Sequence, residues 1–171
     1  LAALISDAGG GGTILFYRKQ FGDWVIQGPD GKPTDTRAAP SNVKSNAPLI
    51  LVTDWYDDSM ILDSGFSEAA ADALFASLVR LDQGFGGTPA AAGSPPSAGD
   101  IFDSPLHFIG HGRGAVVNSE VIERLGTYKM PTNGIQMTTL DIRDNEQTDL
   151  NIRMNDLVTT AQMISGAVGG G

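Results

Sequence analysis

A glycine-rich turn between an apolar run and a helical pattern is the segment of this chain best suited to chemistry. The apolar run 106–109 leads into the turn, and the helical pattern 115–125 leaves it at once. The turn alternates three glycines with two cationic or titratable residues: Gly110, His111, Gly112, Arg113 and Gly114. An abrupt strand-to-helix turn can present a nucleophile at its apex, or backbone N–H groups to an anion.

The turn resembles the nucleophile elbow of α/β-hydrolases, whose pattern is Gly-x-Ser-x-Gly. Gly110 and Gly114 match the outer glycines, and His111 and Arg113 match the Gly-His-Ser-Arg-Gly form found in bacterial lipase-like hydrolases. Gly112 stands where those enzymes carry the nucleophilic serine. The resemblance implies an α/β fold with a three-layer, mostly parallel sheet and helices on both faces, present here incompletely, and ester hydrolysis as the ancestral chemistry.

The resemblance also assigns roles to neighbouring residues. In related lipases the strand after the elbow helix ends in Leu-Asp-Pro, and that aspartate is the triad acid; Asp141 matches it and Ile142 replaces the proline. The backbone N–H of Arg113 would be an oxyanion donor. Residues 54–59 follow an earlier predicted strand, where such enzymes place oxyanion-hole or lid residues, and this part of the match is loose.

Two of the three members of a catalytic triad are absent from these residues. Glycine at position 112 has no side chain that could attack an acyl group. Hydrolases of this fold supply the base after the acid, yet no histidine follows His111. We therefore predict a domain that is inactive as a serine hydrolase, needs no cofactor, and serves as a structural or interaction module of a larger bacterial surface or assembly protein.

The same glycines also fit a dinucleotide-binding fingerprint, G-x-G-x-x-G/A. Gly110, Gly112 and Ala115 match it literally, and Asp141 would bind the ribose. However, Asp141 lies further beyond the motif than the usual ~20 residues. A predicted strand and helix also precede the motif, whereas the fingerprint usually opens its βαβ unit. We favour the hydrolase-like interpretation and keep a Rossmann-like domain as the alternative.

The remaining polar residues have simpler interpretations. We expect His111 to pack or hydrogen-bond near the turn rather than act as a base, and His107 to be a structural histidine within its strand. Arg113 could pair with Asp141 or Glu120, or lie on the surface at the start of the helix. The acidic stretches 54–58 and 141–149 are typical of solvated loops, and the second lacks the central glycine of an EF-hand. We predict no metal site.

The elements that position the turn alternate between strand and helix, which favours a parallel sheet with helices packed on it. We predict adjacent parallel strands at 49–53, 106–109 and 135–140, and helices at 66–83, at 115–125 and after Asn155. For the N-terminal part, residues 1–47, we expect a flexible lead-in at 1–12 and a hairpin or edge strands at 14–17 and 24–26, with loop at 28–48. We expect residues 48–171 to form the α/β-hydrolase-like core, with a Gly/Pro/Ala/Ser-rich loop at 84–104.

Composition excludes several partners. The formal net charge is −9, so phosphate backbones and anionic membranes would repel the chain, and no apolar run is long enough for a membrane span. There are no cysteines and only two histidines, which excludes thiolate metal sites and a cysteine nucleophile. We expect other protein chains, or the rest of a larger polypeptide, as partners, and the composition favours a bacterial extracellular or surface location.

Overall fold

Six strands form two sheets in the part of the chain that the computed structural model describes, which comprises residues 1–18, 22–44, 46–53, 66–88, 97–128 and 133–142. The strands are β1 (Thr13–Arg18), β2 (Asp23–Gln27), β3 (Pro33–Arg37), β4 (Leu49–Thr53), β5 (Leu106–His111) and β6 (Ile135–Leu140). The α-helices of this part are α1 (Ala2–Ala8), α2 (Phe66–Gly84) and α3 (Arg113–Tyr128), and a short 3-10 helix spans Pro40–Asn42. The fold is therefore mixed α/β.

The first sheet is mixed and has the strand order β3-β2-β1-β4. The predicted hairpin is confirmed, because β1 and β2 pair antiparallel with Leu15 opposite Ile26. On its other edge β1 pairs parallel with β4, which places Leu15 opposite Leu51. The hairpin and β4 thus belong to one sheet, although the sequence predicted a boundary between residues 1–47 and 48–171.

Two segments expected to be irregular contain regular structure. Residues 28–48 were predicted as loop, yet β3 lies within them and pairs antiparallel with β2. Proline and charged residues are tolerated at a sheet edge, because an edge strand needs fewer of its backbone groups for pairing. The lead-in 1–12 was predicted to be flexible, yet α1 occupies most of it, and the Ser6 hydroxyl donates to the Gly12 carbonyl at 3.0 Å.

The second sheet is parallel and consists of β5 and β6, with α3 connecting them. The predicted segments 49–53, 106–109 and 135–140 are all strands, and the helices predicted at 66–83 and 115–125 are α2 and α3. The predicted pairing is only partly right, because β4 pairs with β1 and, in the described residues, no ladder joins β4 to β5. An apolar run predicts a buried strand but does not specify its neighbour.

One hydrophobic core lies beneath both sheets. Leu15 and Trp24 of the first sheet pack in the same cluster as Leu78 of α2 and Val121 of α3. Phe108 of β5 packs against this cluster, so the two sheets share their apolar contacts. Among the described residues, none of the helices combines the length and the apolar composition that a membrane crossing needs.

A fully buried carboxylate connects the end of α2 to the start of β5. Asp82 has no exposed surface, and its side chain accepts backbone N–H bonds from Gly99 at 3.0 and 2.9 Å and from Phe102 at 3.1 Å. Nearby, Thr88 and Ser97 exchange two backbone hydrogen bonds across the neck of the loop predicted at 84–104. The residues between them lie outside the described part. Asp82 therefore fixes the segment that enters β5.

We expect Asp82→Ala to lower the free energy of unfolding by about 3 kcal/mol, because hydrogen bonds to a charged group are strong and the variant leaves buried N–H donors without an acceptor. The measurement is urea unfolding followed by circular dichroism. Asp100→Ala is the matched control: this carboxylate lies in the same segment but is exposed, and its loss should change stability by no more than about 0.5 kcal/mol. Equal effects of the two substitutions would contradict a role for Asp82 in fixing the segment.

Candidate functional site

The strand β5 passes into the helix α3 with a single residue between them. That residue, Gly112, has a φ of +58°, in the left-handed region that glycine adopts readily. Its backbone N–H donates to the Leu140 carbonyl at the end of β6, at 3.0 Å. Its carbonyl accepts the N–H of Ala115 at 3.2 Å. The turn is thus fixed on one side by the neighbouring strand and on the other by the first turn of the helix.

The structural requirement for glycine differs among the three glycine positions of the turn. A Cβ atom at Gly110 would lie 2.6 Å from the Ala115 Cα atom and 2.7 Å from its nitrogen, so only glycine fits between strand and helix. A Cβ atom at Gly112 would meet no atom within 4 Å, and the positive φ alone favours glycine there. At Gly114 the space is open and φ is not positive. Packing therefore requires Gly110, and backbone conformation favours Gly112.

Asp141 directly follows β6 at the same edge of the parallel sheet as the turn. The register places His111 opposite Leu140, and the Leu140 carbonyl accepts the Gly112 N–H, so Asp141 is one residue beyond a direct contact with the apex. Asp141 is exposed and has a φ of +46°, which is uncommon for a residue with a side chain. The fold thus places the predicted apex and the predicted acid at the same edge of the β5–β6 sheet.

The two cationic or titratable residues of the turn lie on either side of the apex. His111 is exposed as the last residue of β5, and Arg113 is half-buried as the first residue of α3. The other histidine, His107, lies near the start of β5. Its Nε2 atom forms a 2.9 Å hydrogen bond with the Thr138 hydroxyl of β6. This bond gives His107 a partner within the sheet, in keeping with its interpretation as a structural histidine.

The side chains of the turn can bind or polarise a ligand, but they include neither a hydroxyl nor a thiol nucleophile. The sequence from His111 to Ala115 has no hydroxyl, and Gly112 leaves the apex without any side chain. Within the described ranges, no group of three or more histidine, aspartate or glutamate residues is placed to hold a metal ion. The acidic residues 54–59 and most of 141–149 lie outside the described part, as does the helix predicted after Asn155.

An ion-pair network that the sequence analysis missed braces α3 against α2. The Arg124 guanidinium bonds Glu120 at 2.8 Å, on its own helix, and Asp72 of α2 at 2.6 Å. Burial alone would lower the pKa of Arg124, but the hydrogen bonds and charges of these two carboxylates outweigh it and raise the pKa. The i,i+4 spacing of Glu120 and Arg124 was the available signal. Glu120, considered above as a partner of Arg113, is paired with Arg124.

We expect Gly110→Ala to lower the free energy of unfolding by about 1–3 kcal/mol, because the added methyl group overlaps the backbone of Ala115. Gly114→Ala, at the other outer glycine of the turn, is the matched control. Its methyl group meets open space at the start of α3, and alanine favours helix, so stability should be unchanged or higher by up to about 1 kcal/mol. Thermal and urea unfolding measure both, and equal destabilisation would contradict the close approach at Gly110.

Comparison with protein-family models, with curated proteins and with solved structures finds no match to this chain. The likeness to α/β-hydrolases therefore depends on the residues of the turn and on the position of Asp141. The structure by itself gives a mixed α/β fold with one mixed and one parallel sheet.

Proposed function

We propose that this chain is an α/β-hydrolase-like domain that has lost catalysis and now serves as a structural or interaction module of a larger bacterial surface or assembly protein. The observation that carries the proposal is Gly112, with a φ of +58° at the apex between β5 and α3. A nucleophile elbow holds its central residue in such a strained conformation. Here the conformation is present and the reactive side chain is not.

We also propose that the two sheets are parts of one three-layer arrangement with helices on both faces. Its support is the shared core, in which Leu51 of β4 and Phe108 of β5 pack against the same cluster as residues of α2 and α3. In addition, α1 contacts β1 and β4. Parallel strands connected by a helix are typical of sheets covered on both faces.

Catalysis fails in this proposal because two chemical roles are unfilled. Acyl transfer needs a nucleophile and a base that removes its proton, oriented by an acid. Asp141 could supply the acid and the Arg113 N–H an oxyanion donor. The residues present supply neither a serine at 112 nor a histidine after Asp141. The formal net charge of −9 also argues against nucleic acid, so we propose protein partners.

The alternative function is dinucleotide binding, which the β5–α3–β6 unit with Asp141 after its second strand would also suit. In such a site, backbone N–H groups at the turn and helix start point at the pyrophosphate. Two of the relevant donors are committed within the protein instead: Gly112 donates to Leu140 and Ala115 donates to Gly112. We therefore favour the vacated elbow over the nucleotide site.

We expect no hydrolysis of p-nitrophenyl acetate or butyrate above the buffer rate, because the apex has no nucleophile. Gly112→Ser should fold, since its side chain enters open space, with an unfolding free energy lower by about 1–2 kcal/mol for the positive φ. This variant should also show no turnover and no labelling by a fluorophosphonate, because no base activates the hydroxyl. Gly112→Ala is the control for the cost of a side chain.

Turnover by the unmodified chain that disappears in His111→Ala would contradict the proposal, because it would make His111 the base or nucleophile of another mechanism. Rapid fluorophosphonate labelling of Gly112→Ser, absent from Gly112→Ala, would show that a base reaches the apex after all. Either result would show that the domain can catalyse hydrolysis or can activate a nucleophile at the apex.

The nucleotide alternative has its own test. We expect isothermal titration of the chain with NAD to give no binding at micromolar concentrations, because the turn amides of Gly112 and Ala115 already have acceptors. Asp141→Ala is the control for any heat observed, since the ribose would lose its acceptor in that variant. Micromolar binding that Asp141→Ala weakens would replace the hydrolase-like proposal by the dinucleotide one.

A further inference from the structure

One face of the β5–β6 sheet is not covered by the described helices. Side chains alternate between the faces of a strand, and Leu106, Phe108 and Ile135 pack against the core on the same face where Gly110 meets α3. The opposite face, here called the open face, consists of His107, Ile109 and His111 of β5 and Gln136, Thr138 and Leu140 of β6. The hydrogen bond between His107 and Thr138 joins the two strands on this face.

The open face is unusually exposed for a parallel sheet. Leu140 is 46% exposed, His107, His111 and Gln136 are exposed, and Ile109 is half-buried. The described helices pack elsewhere: α3 on the opposite face, α1 against β1 and β4, and α2 against α3 and β2. Parallel strands joined by a helix occur almost always with both faces covered, and two strands alone are marginally stable. A covering element is therefore expected.

We infer that the open face is the docking site of residues 155–164 of this same chain. The described part ends at Ile142, two residues beyond β6 and at the edge of this face, and residues 143–171 follow in the sequence. The pattern of 155–164 predicts a short helix that begins at Asn155 and carries most of its apolar residues on one side, with Met163 on the other. The residues of the apolar side are Leu157, Val158, Ala161 and Ile164.

The lengths are compatible with this docking. A helix over 155–164 would be about 15 Å long, and the six residues of β6 extend over about 20 Å. The connecting residues 143–154 could span up to about 40 Å when extended, which lets the helix return along the strands. Its apolar side would meet Ile109 and Leu140, while His107 and Gln136 lie at the same face as polar partners. The inference does not depend on the chemistry proposed for residue 112.

The test uses the whole 171-residue chain, which has no cysteine and so gives no background of thiol reactions. Gln136→Cys on the open face is combined with Ala161→Cys and treated with a short bismaleimide. Ala73→Cys, on the exposed side of α2, is combined with the same Ala161→Cys as the control. Peptide mass spectrometry and non-reducing gels separate cross-links within one chain from those between two.

Docking predicts that the open-face pair forms the intramolecular cross-link at least about tenfold faster than the control pair, because docking raises the local concentration of one thiol near the other. Leu157→Asp should remove this preference, whereas Thr159→Asp, on the opposite side of the predicted helix, should leave it. Equal rates for the two pairs would overturn the inference. Cross-links mainly between two chains would also overturn it, and would assign the open face to a second copy.

Discussion

The close approach of Gly110 to Ala115 is the contact on which the arrangement around the turn depends. Because no Cβ atom stands between them, β5 can pass into α3 through one residue, and the helix lies directly over the strand that it leaves. This geometry requires a left-handed residue at 112 and turns its N–H towards Leu140. The resulting hydrogen bond connects the turn to the end of β6, next to Asp141.

The other end of β5 is fixed by a different interaction, so the strand is held at both ends. Asp82 accepts three hydrogen bonds from the segment that enters β5, within a part of the core that contains Phe102. A buried carboxylate is tolerated there because backbone donors replace the water it loses. Arg124 then fixes α3 against α2 through carboxylates of both helices. The turn is thus supported by contacts distant from it.

Sequence patterns predicted the elements of this fold better than their partners. The apolar runs at 49–53, 106–109 and 135–140 were correctly predicted as strands, because a buried strand needs a run of apolar residues. The pairing of β4 with β1, in contrast, depends on tertiary contacts that no local pattern encodes. The edge strand β3 was missed because its polar, proline-containing residues look like loop. At the candidate site, the spacing of the glycines predicted the turn, whereas Asp82 gave no signal, since a lone aspartate near a helix end is usually solvated.

The conformation of the turn at Gly112 is imposed by the residues around it, so the elbow that we propose could keep its shape without a nucleophile. The positive φ at Gly112 is needed to connect β5 to α3, and the Leu140 and Ala115 hydrogen bonds keep it whether or not a side chain is present. Serine in that conformation would cost about 1–2 kcal/mol, a strain that an enzyme tolerates for its nucleophile and that a non-catalytic domain has no reason to keep. Glycine removes the strain and leaves the backbone unchanged. Under the proposed function, glycine at 112 is therefore the residue expected where the fold has to be kept and a nucleophile is not needed.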